Sequence, residues 1–297
     1  AGSFDVKYAK TEWRTFVPVR MVNPGSNVVS YKQFDVVGEA GFVADYTKDF
    51  PKVELKGAEF FSKFASIGAS YGYSIQDWRE AQMAGFPLDA KKATAARDAI
   101  ERTLDKLACV GDATHNLTGL ANNTNVPVST NGASGTTGLS LAVWLPTGGG
   151  TTATAKEIFE DVAFITKKIV DDTYGIFTPD TLLLPRKIYS YLNSVLFQST
   201  YNTKTVMQAL LEANPWIKNV EMWARLDSAG ADGKGRIVVY KRDPDVAEMV
   251  MAQDFESFAP QMKGMEFTIM CHARPGTVQV RYPKAMGYLD GCGGTDA

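Results

Sequence analysis

YSIQDWREAQMAGFPLDAKKATAARDAIERTLDKLACVGDATHNLTGLANNTNV, residues 73–126, sets a short capped helix before a long alanine-rich helix and closes on a Gly-Asp exit. Ser74 is placed to cap the helix from Ile75, with Asp77 three residues on, and Gly85-Phe86-Pro87 breaks it. Asp89 is the expected cap of the second helix, which runs to about Val110. Its 21 or so residues span roughly 31 Å at 1.5 Å per residue. Ala93, Ala96, Ile100, Leu104, Leu107 and Ala108 recur at three- and four-residue steps, so one narrow face is apolar. Lys91, Lys92, Arg97, Asp98, Glu101, Arg102, Asp105 and Lys106 are expected to stay wet. Such a stripe suits a helix laid across a sheet, a spine rather than a pocket.

The same segment resembles the major capsid proteins of tailed phages. The residues that carry the resemblance are Tyr73-Ser74, Trp78, Ala84-Gly85, Leu88-Asp89, Ala93 to Ile100, Gly111-Asp112, and Gly119-Leu120 with Asn122 and Val126. The C-terminal stretch is similar to that family too: VAEMVMAQDF (246–255), Pro260-Gln261 with Gly264, Ala273-Arg274, Gly276-Thr277-Val278, Tyr282-Pro283 and Tyr288-Leu289-Asp290-Gly291. The matching pieces follow the family's order and cover about half the chain. Each is a packing pattern and not a catalytic signature.

The resemblance implies an α+β class and the phage capsid fold, with an N-terminal arm, an extended hairpin (E-loop), a long spine helix, a peripheral domain and an axial domain. The implied division is 1–27 arm, 28–72 hairpin and flanking strands, 73–115 peripheral domain with the spine helix, 116–242 axial domain, and 243–297 peripheral-domain strands. On this reading Ala93, Ile100, Leu104 and Leu107 pack the spine, and Lys48, Lys52 and Lys56 are candidate intersubunit residues of the hairpin.

Composition agrees with an ordinary folded chain. Its 297 residues can bury a large core in one elaborate domain or two. Hydrophobic content of 45% and charged content of 22% are those of globular proteins. A formal charge of −2 argues against affinity for nucleic acid through a dense basic surface. A shell around packaged DNA needs no such surface, since no base is read. Cys109, Cys271 and Cys292 are odd in number and lack a C-x-x-C pairing, so three free thiols in a reducing compartment are expected. No run of 18 apolar residues and no signal-peptide pattern is present, so neither a membrane span nor secretion by that route is expected. The opening Ala1 is compatible with methionine removal, with a choice of where the chain was begun, and with maturation cleavage as in many relatives.

Outward from the spine, Pro18 and Pro24 make residues 1–27 read as an extended arm that reaches neighbours. Residues 28–37 and 59–73 have strand composition, with Gly38, Gly41, Pro51 and Gly57 between them. An ordinary surface hairpin is the alternative to the E-loop here. The 111–154 stretch is rich in Gly, Thr, Asn and Ser but has neither G-x-x-x-x-G-K-[ST] nor a G-x-G-x-x-G between strand and helix, so it is not read as a phosphate cradle. Beyond it, Thr154-Ala155-Lys156-Glu157 forms a capping box, and Ile158, Val162, Ile165 and Ile169 make a helical stripe that Gly175 stops. Thr181–Leu184 reads as a buried strand, Pro185 to about Phe197 and Thr205–Ala213 as helices, and Val220–Leu226 and Arg236–Arg242 as strands. The final strands are expected at about 246–251, 265–273 and 277–282, returning to the spine.

Catalytic chemistry finds little support. His115 and His272 are the only histidines, which excludes a His-rich metal site. Cys109 and His115 lie six apart across a helix end without a recognisable oxyanion element. Cys271 and His272 are adjacent on a strand and face opposite ways. Asp171-Asp172 reads as a solvated helix end, and Asp243-Pro244-Asp245 as a turn rather than a calcium loop. No catalytic, cofactor-binding or metal-ligating residue is assigned. Some family members join a hairpin lysine to an asparagine of a neighbour. Here Asn219 is the last asparagine, so the C-terminal strands hold no acceptor and cohesion is expected to be noncovalent.

The functional expectation is a major capsid subunit of a tailed double-stranded DNA phage, assembling with itself into pentamers and hexamers of an icosahedral shell. The partners implied are portal, decoration or scaffolding proteins and packaged DNA touched non-specifically, with no membrane, in a virion assembled in the host cytoplasm. The alternative within the same fold is an encapsulin-like shell holding a cargo enzyme.

Overall fold

The computed structural model describes residues 11–38, 52–130, 144, 154–198, 202–230 and 233–291. In chain order its elements are α1 (Trp13–Phe16), β1 (Val19–Met21), β2 (Val28–Val37), β3 (Glu54–Lys63), β4 (Ile67–Ser74), α2 (Ile75–Met83) and α3 (Leu88–Cys109). There follow β5 (Gly111–Asp112), β6 (Leu117–Thr118), β7 (Val128–Thr130), α4 (Ala155–Asp172), β8 (Thr181–Leu184), α5 (Arg186–Ser194), β9 (Leu196–Gln198), β10 (Asn202–Thr205) and α6 (Val206–Ala213). The chain ends through β11 (Asn219–Met222), β12 (Arg236–Tyr240), β13 (Ala247–Ser257), β14 (Gln261–Lys263), β15 (Glu266–Val280) and β16 (Met286–Asp290).

Helix α3 lies on a sheet ordered β1-β13-β15-β14, with β4 also pairing to β15. Ile100, Leu104, Leu107 and Ala108 enter one core with Met249, Met251, Ile269, Ala273 and Val278 of that sheet, whereas Ala93 is only half-buried. The capping box on α2 forms as expected: Ser74 Oγ accepts from the Asp77 amide at 3.0 Å, and Asp77 accepts from the Ser74 amide at 3.1 Å. The expected Asp89 cap does not form. Pro87 occupies the cap position without a side-chain bond, and Asp89 sits in the first turn, where a carboxylate favours the helix dipole.

Asp105, expected to stay wet, is buried instead. Its carboxylate accepts from Trp223 Nε1 at 2.9 Å and from Arg225 Nε at 2.7 Å. Helical periodicity counts apolar positions and cannot see donors supplied from more than a hundred residues away.

The expected arm is corrected over its second half. Residues 1–10 lie outside the described residues, but the segment from Trp13 to Met21 folds into its own chain. Trp13, Phe16 and Val17, at helical spacing, are fully buried, and β1 pairs in parallel with β13. Tyr240 donates its hydroxyl to the Phe16 carbonyl at 2.6 Å, and Phe16 packs on Trp223 with ring centroids 5.1 Å apart. Trp13 donates to Glu101, and Arg14 bridges Glu101 and Asp254. Three apolar side chains in five residues outweigh the prolines that suggested an extended arm.

A second sheet runs β11-β8-β12-β16-β7. Its central strands are buried on both faces. Leu183, Val238, Tyr240 and Tyr288 belong to the core under α3, while Leu182, Leu184, Ile237, Val239 and Leu289 belong to a second core with Ile158, Val162, Ile165 and Ile169 of α4 and with α5 and α6. Strict alternation thus splits each apolar run between two cores. Strand β16 comes from the C-terminal segment that was expected to return wholly to the spine sheet. It inserts instead between β12 and β7, because Pro283 turns the chain and Met286–Asp290 is buried along its whole length.

Several boundaries also shift. The expected 59–73 strand is two strands broken at Phe64–Ser66, and β13 and β15 are longer than the expected C-terminal pieces, with β15 continuous through Pro275 and Gly276. Helix α5 stops at Ser194, where the chain enters the β9–β10 ribbon, and after β11 residues 224–228 form a 3-10 turn instead of strand. The Gly-Asp exit of α3 is a tight reversal. Gly111 has φ +73°, and a Cβ there or at Gly119 would lie 2.1–2.3 Å from the Leu117 or Cys109 carbonyl oxygen.

Candidate assembly surface

β2 and β3 form an antiparallel ribbon of ten consecutive pairs, Val28↔Lys63 to Val37↔Glu54, which makes it about 33 Å long. Directly opposed residues share a face. One face carries Val28, Phe61, Phe34, Val36 and Leu55, with Lys32 opposite Glu59. Phe34, Val36, Leu55 and Phe61 are 63–70% exposed, and Phe34 lies over Gly57, whose missing side chain makes room for the ring. An exposed apolar stripe of this kind, interrupted only by the Lys32–Glu59 pair, is characteristic of a surface that a partner covers.

The other face is covered at its root. Ser62 is buried and accepts from Gln279 Nε2 at 3.1 Å. Tyr31 stacks on Phe60 at 5.0 Å, and the Arg281 guanidinium lies 5.8 Å from the Tyr31 ring centroid. A cavity of about 350 Å³ opens between this root, the 116–125 loop and the end of β15, and Lys63 and Arg281 are the charged residues in its lining. Among the lysines singled out in the hairpin, Lys56 stands exposed opposite Asp35 and Lys52 is exposed just before β3, while Lys48 lies outside the described residues. The apolar stripe was missed by sequence reasoning that looked for charge; the alternation of Phe34, Val36 and Leu55, Phe61 could have revealed it.

The candidate reactive residues are not brought together. Cys109 is fully buried at the end of α3, where desolvation pushes its thiol well above its ordinary range, so it is held as the un-ionised form. His115 sits on an exposed turn with Nδ1 2.5 Å from Asp112 Oδ2, and this contact with the Thr114 amide holds the Asp112 carboxyl below its usual range. Cys271 is buried and His272, its neighbour, leans on Phe258; Cys292 lies outside the described residues. Asp171 and Asp172 are exposed at the end of α4, and Asp243 accepts from the Asp245 amide in a turn. Among the described residues no three His, Cys, Asp or Glu side chains group to hold a metal ion, and no helix is long and apolar enough to cross a membrane. In the glycine-rich stretch Trp144 is fully buried and donates Nε1 to the buried Asp161 at 2.8 Å, while 131–143 and 145–153 lie outside the described residues.

Residues 38–292 match the family model described as Major capsid protein. No curated protein matches the sequence. Among solved structures, the capsid of Myoviridae phage XM1 superposes with a TM-score of 0.81 at 14% identity, over 98% of this chain and 95% of that one. A structure of Mycobacterium phage Adephagia gives 0.64 at 12% identity, over 99% and 92%. A virus-like particle from Pyrococcus furiosus gives 0.59 at 12%, over 93% and 91%.

Proposed function

Because the chain belongs to the major capsid protein family, we propose that it builds an icosahedral phage shell from pentamers and hexamers of itself, around a double-stranded DNA genome. Assembly of many copies and a place in the virion capsid follow from membership. The observation that carries the finer reading is the exposed apolar stripe of the β2–β3 ribbon, Phe34, Val36, Leu55 and Phe61, which covers itself against a second copy on assembly. The stripe does this through apolar burial, with Lys48, Lys52 and Lys56 of the hairpin as further candidate intersubunit residues. Burial repeated around a ring multiplies weak contacts into a stable shell.

The two separate cores, one with α3 and one with α4, support a reading in peripheral and axial parts. α3, packed through Ile100, Leu104 and Leu107 with Ala93 at its less buried end, stiffens the peripheral wall. The α4–α6 region over the second sheet forms the axial part, whose loops pack the capsomer. Packaged DNA is touched without base reading, as a net charge of −2 suits. Portal and scaffolding or decoration proteins complete the set of partners, with assembly in the host cytoplasm. The family is one of structural proteins, and this chain acts by assembly rather than by catalysis. A cargo-holding shell is not favoured, since residues 38–292 match the major capsid protein family model. Electron microscopy of native material, with the ultraviolet absorbance ratio of the same fraction, tests the proposal. Closed polyhedra rich in nucleic acid are expected; a small oligomer at every concentration and salt refutes it.

A further inference from the structure

Glu248 of β13 is 4% exposed and sits where three parts of the chain meet. Its carboxylate faces Arg20 of β1, with Nε at 2.7 Å, and also pairs with Arg281 at the end of β15. Arg281 donates to the Pro244 carbonyl at 2.8 Å and lies over Tyr31 of β2. Gln279 is buried beside them. Its Oε1 accepts from Arg20 NH2 at 3.4 Å, and its Nε2 donates to Ser62 of β3. One buried carboxylate and one buried amide therefore tie the N-terminal strap to both strands of the ribbon.

The rest of the ribbon's mounting is a narrow pivot. Phe64 packs against Gly276, where a Cβ would lie 2.9 Å from the ring. The backbone bonds at this point are Phe64 N to Asn27 O at 3.4 Å and Ala65 N to Pro275 O at 3.0 Å. Beyond Tyr31 and Phe60 both strands are exposed on both faces. A ribbon about 33 Å long, held at one end, turns a small displacement at its root into a large one at its tip. The only buried charged contacts at that root run through Glu248, among the described residues.

We propose that the Arg20–Glu248–Arg281 cluster with Gln279 is a joint that couples the angle of the β2–β3 ribbon to the seating of the Trp13–Met21 strap. With the strap seated, Arg20 and Arg281 hold the carboxylate from two sides, and Gln279 and Tyr31 fix the ribbon. With Arg20 withdrawn, Glu248 keeps Arg281, so the fold survives, but Gln279 keeps only its bond to Ser62, its Oε1 losing the Arg20 donor, and the ribbon root is no longer tied to the strap. Coupling of this kind is reciprocal: what loosens the ribbon must loosen the strap.

The test uses the full chain with spin labels at Lys56→Cys in the ribbon and Lys106→Cys on the exposed side of α3, in a Cys292→Ser background that keeps the buried Cys109 and Cys271. Labelled chains are diluted into unlabelled ones so that only intrachain distances are read. Arg20→Ala is expected to broaden the distance distribution about twofold, and Arg20→Lys to restore much of its width. In the reverse direction, Tyr31→Leu with Ser62→Ala is expected to raise amide exchange at Val22, which bonds to Met251 O, by about tenfold. An unchanged distribution in a folded Arg20→Ala chain, or unchanged exchange at Val22 in the ribbon variant, overturns the proposal. If Arg20→Ala does not fold, the ribbon variant alone decides it. Neither readout depends on shell assembly.

Discussion

Removing the carboxylate of Asp290 should cost far more than removing it together with its partner. Arg236 donates Nε and NH2 to the two Asp290 oxygens at 2.7 and 2.6 Å, donates NH1 to the Ala121 carbonyl at 2.6 Å, and lies 4.6 Å from the Tyr288 ring centroid. The two side chains are 11% and 3% exposed, so neither charge can turn to water. Asp290→Leu strands a buried guanidinium, and Arg236→Met strands a buried carboxylate; each costs about 3–5 kcal/mol. Simple addition puts the double substitution Arg236→Met, Asp290→Leu at roughly 6–10 kcal/mol. The physical expectation is much lower. Replacing both charges by apolar groups is close to neutral, and what remains is the unmet Ala121 carbonyl, about 1–3 kcal/mol. Urea unfolding of dissociated subunits for the four chains yields the coupling energy directly, with at least about 3 kcal/mol expected. A coupling under about 1 kcal/mol refutes the reasoning, since the pair would then be solvated or replaceable one side at a time.

Leu104→Ala, at a fully buried position under the sheet, should cost about 2–5 kcal/mol by the same unfolding assay, and Leu104→Asp should leave no soluble folded chain. Phe34→Ser with Leu55→Ser should change subunit stability by less than about 0.5 kcal/mol, because both side chains are already exposed, yet abolish large particles in sedimentation velocity. The Arg14 guanidinium holds the Asp254 carboxyl below its ordinary range against the opposing effect of burial. A depressed carboxylate stabilises above the unfolded value near 3.9 and loses that contribution as pH falls through the folded value. Arg14→Ala should therefore flatten the stability curve below about pH 4, and an unaltered acid limb would contradict the pairing.

The local signals in this chain were strong where the backbone decides the outcome. The Ser74 and Thr154 capping boxes, the Gly-Asp reversal after α3, the apolar-rich TLLL and RIVVY strands and the 88–109 helix could each be read from neighbours within a turn or a pleat. The stripe on the ribbon was also there to be read, as alternation of Phe34 with Val36 and of Leu55 with Phe61, but attention to lysines passed over it. Asp105 and the strap could not be read in this way. Asp105 is polar on a helix face that looks solvated until Trp223 and Arg225 arrive, and Trp13–Val17 looks like loop until Tyr240 and the α3 core are known to lie beneath it.

By itself, then, the order of residues determined the elements, the spine and the family pattern, because capping, turn chemistry and apolar periodicity act over a few residues. Tertiary structure alone decided that the strap closes on its own chain, that β16 leaves the spine sheet to sit between β12 and β7, and that Glu248, Asp105 and Asp290 are buried with their cations. Those outcomes are set by which distant surfaces meet. A buried charge is tolerable only where a partner from elsewhere in the chain satisfies it, and nothing in its local sequence says that the partner will be there.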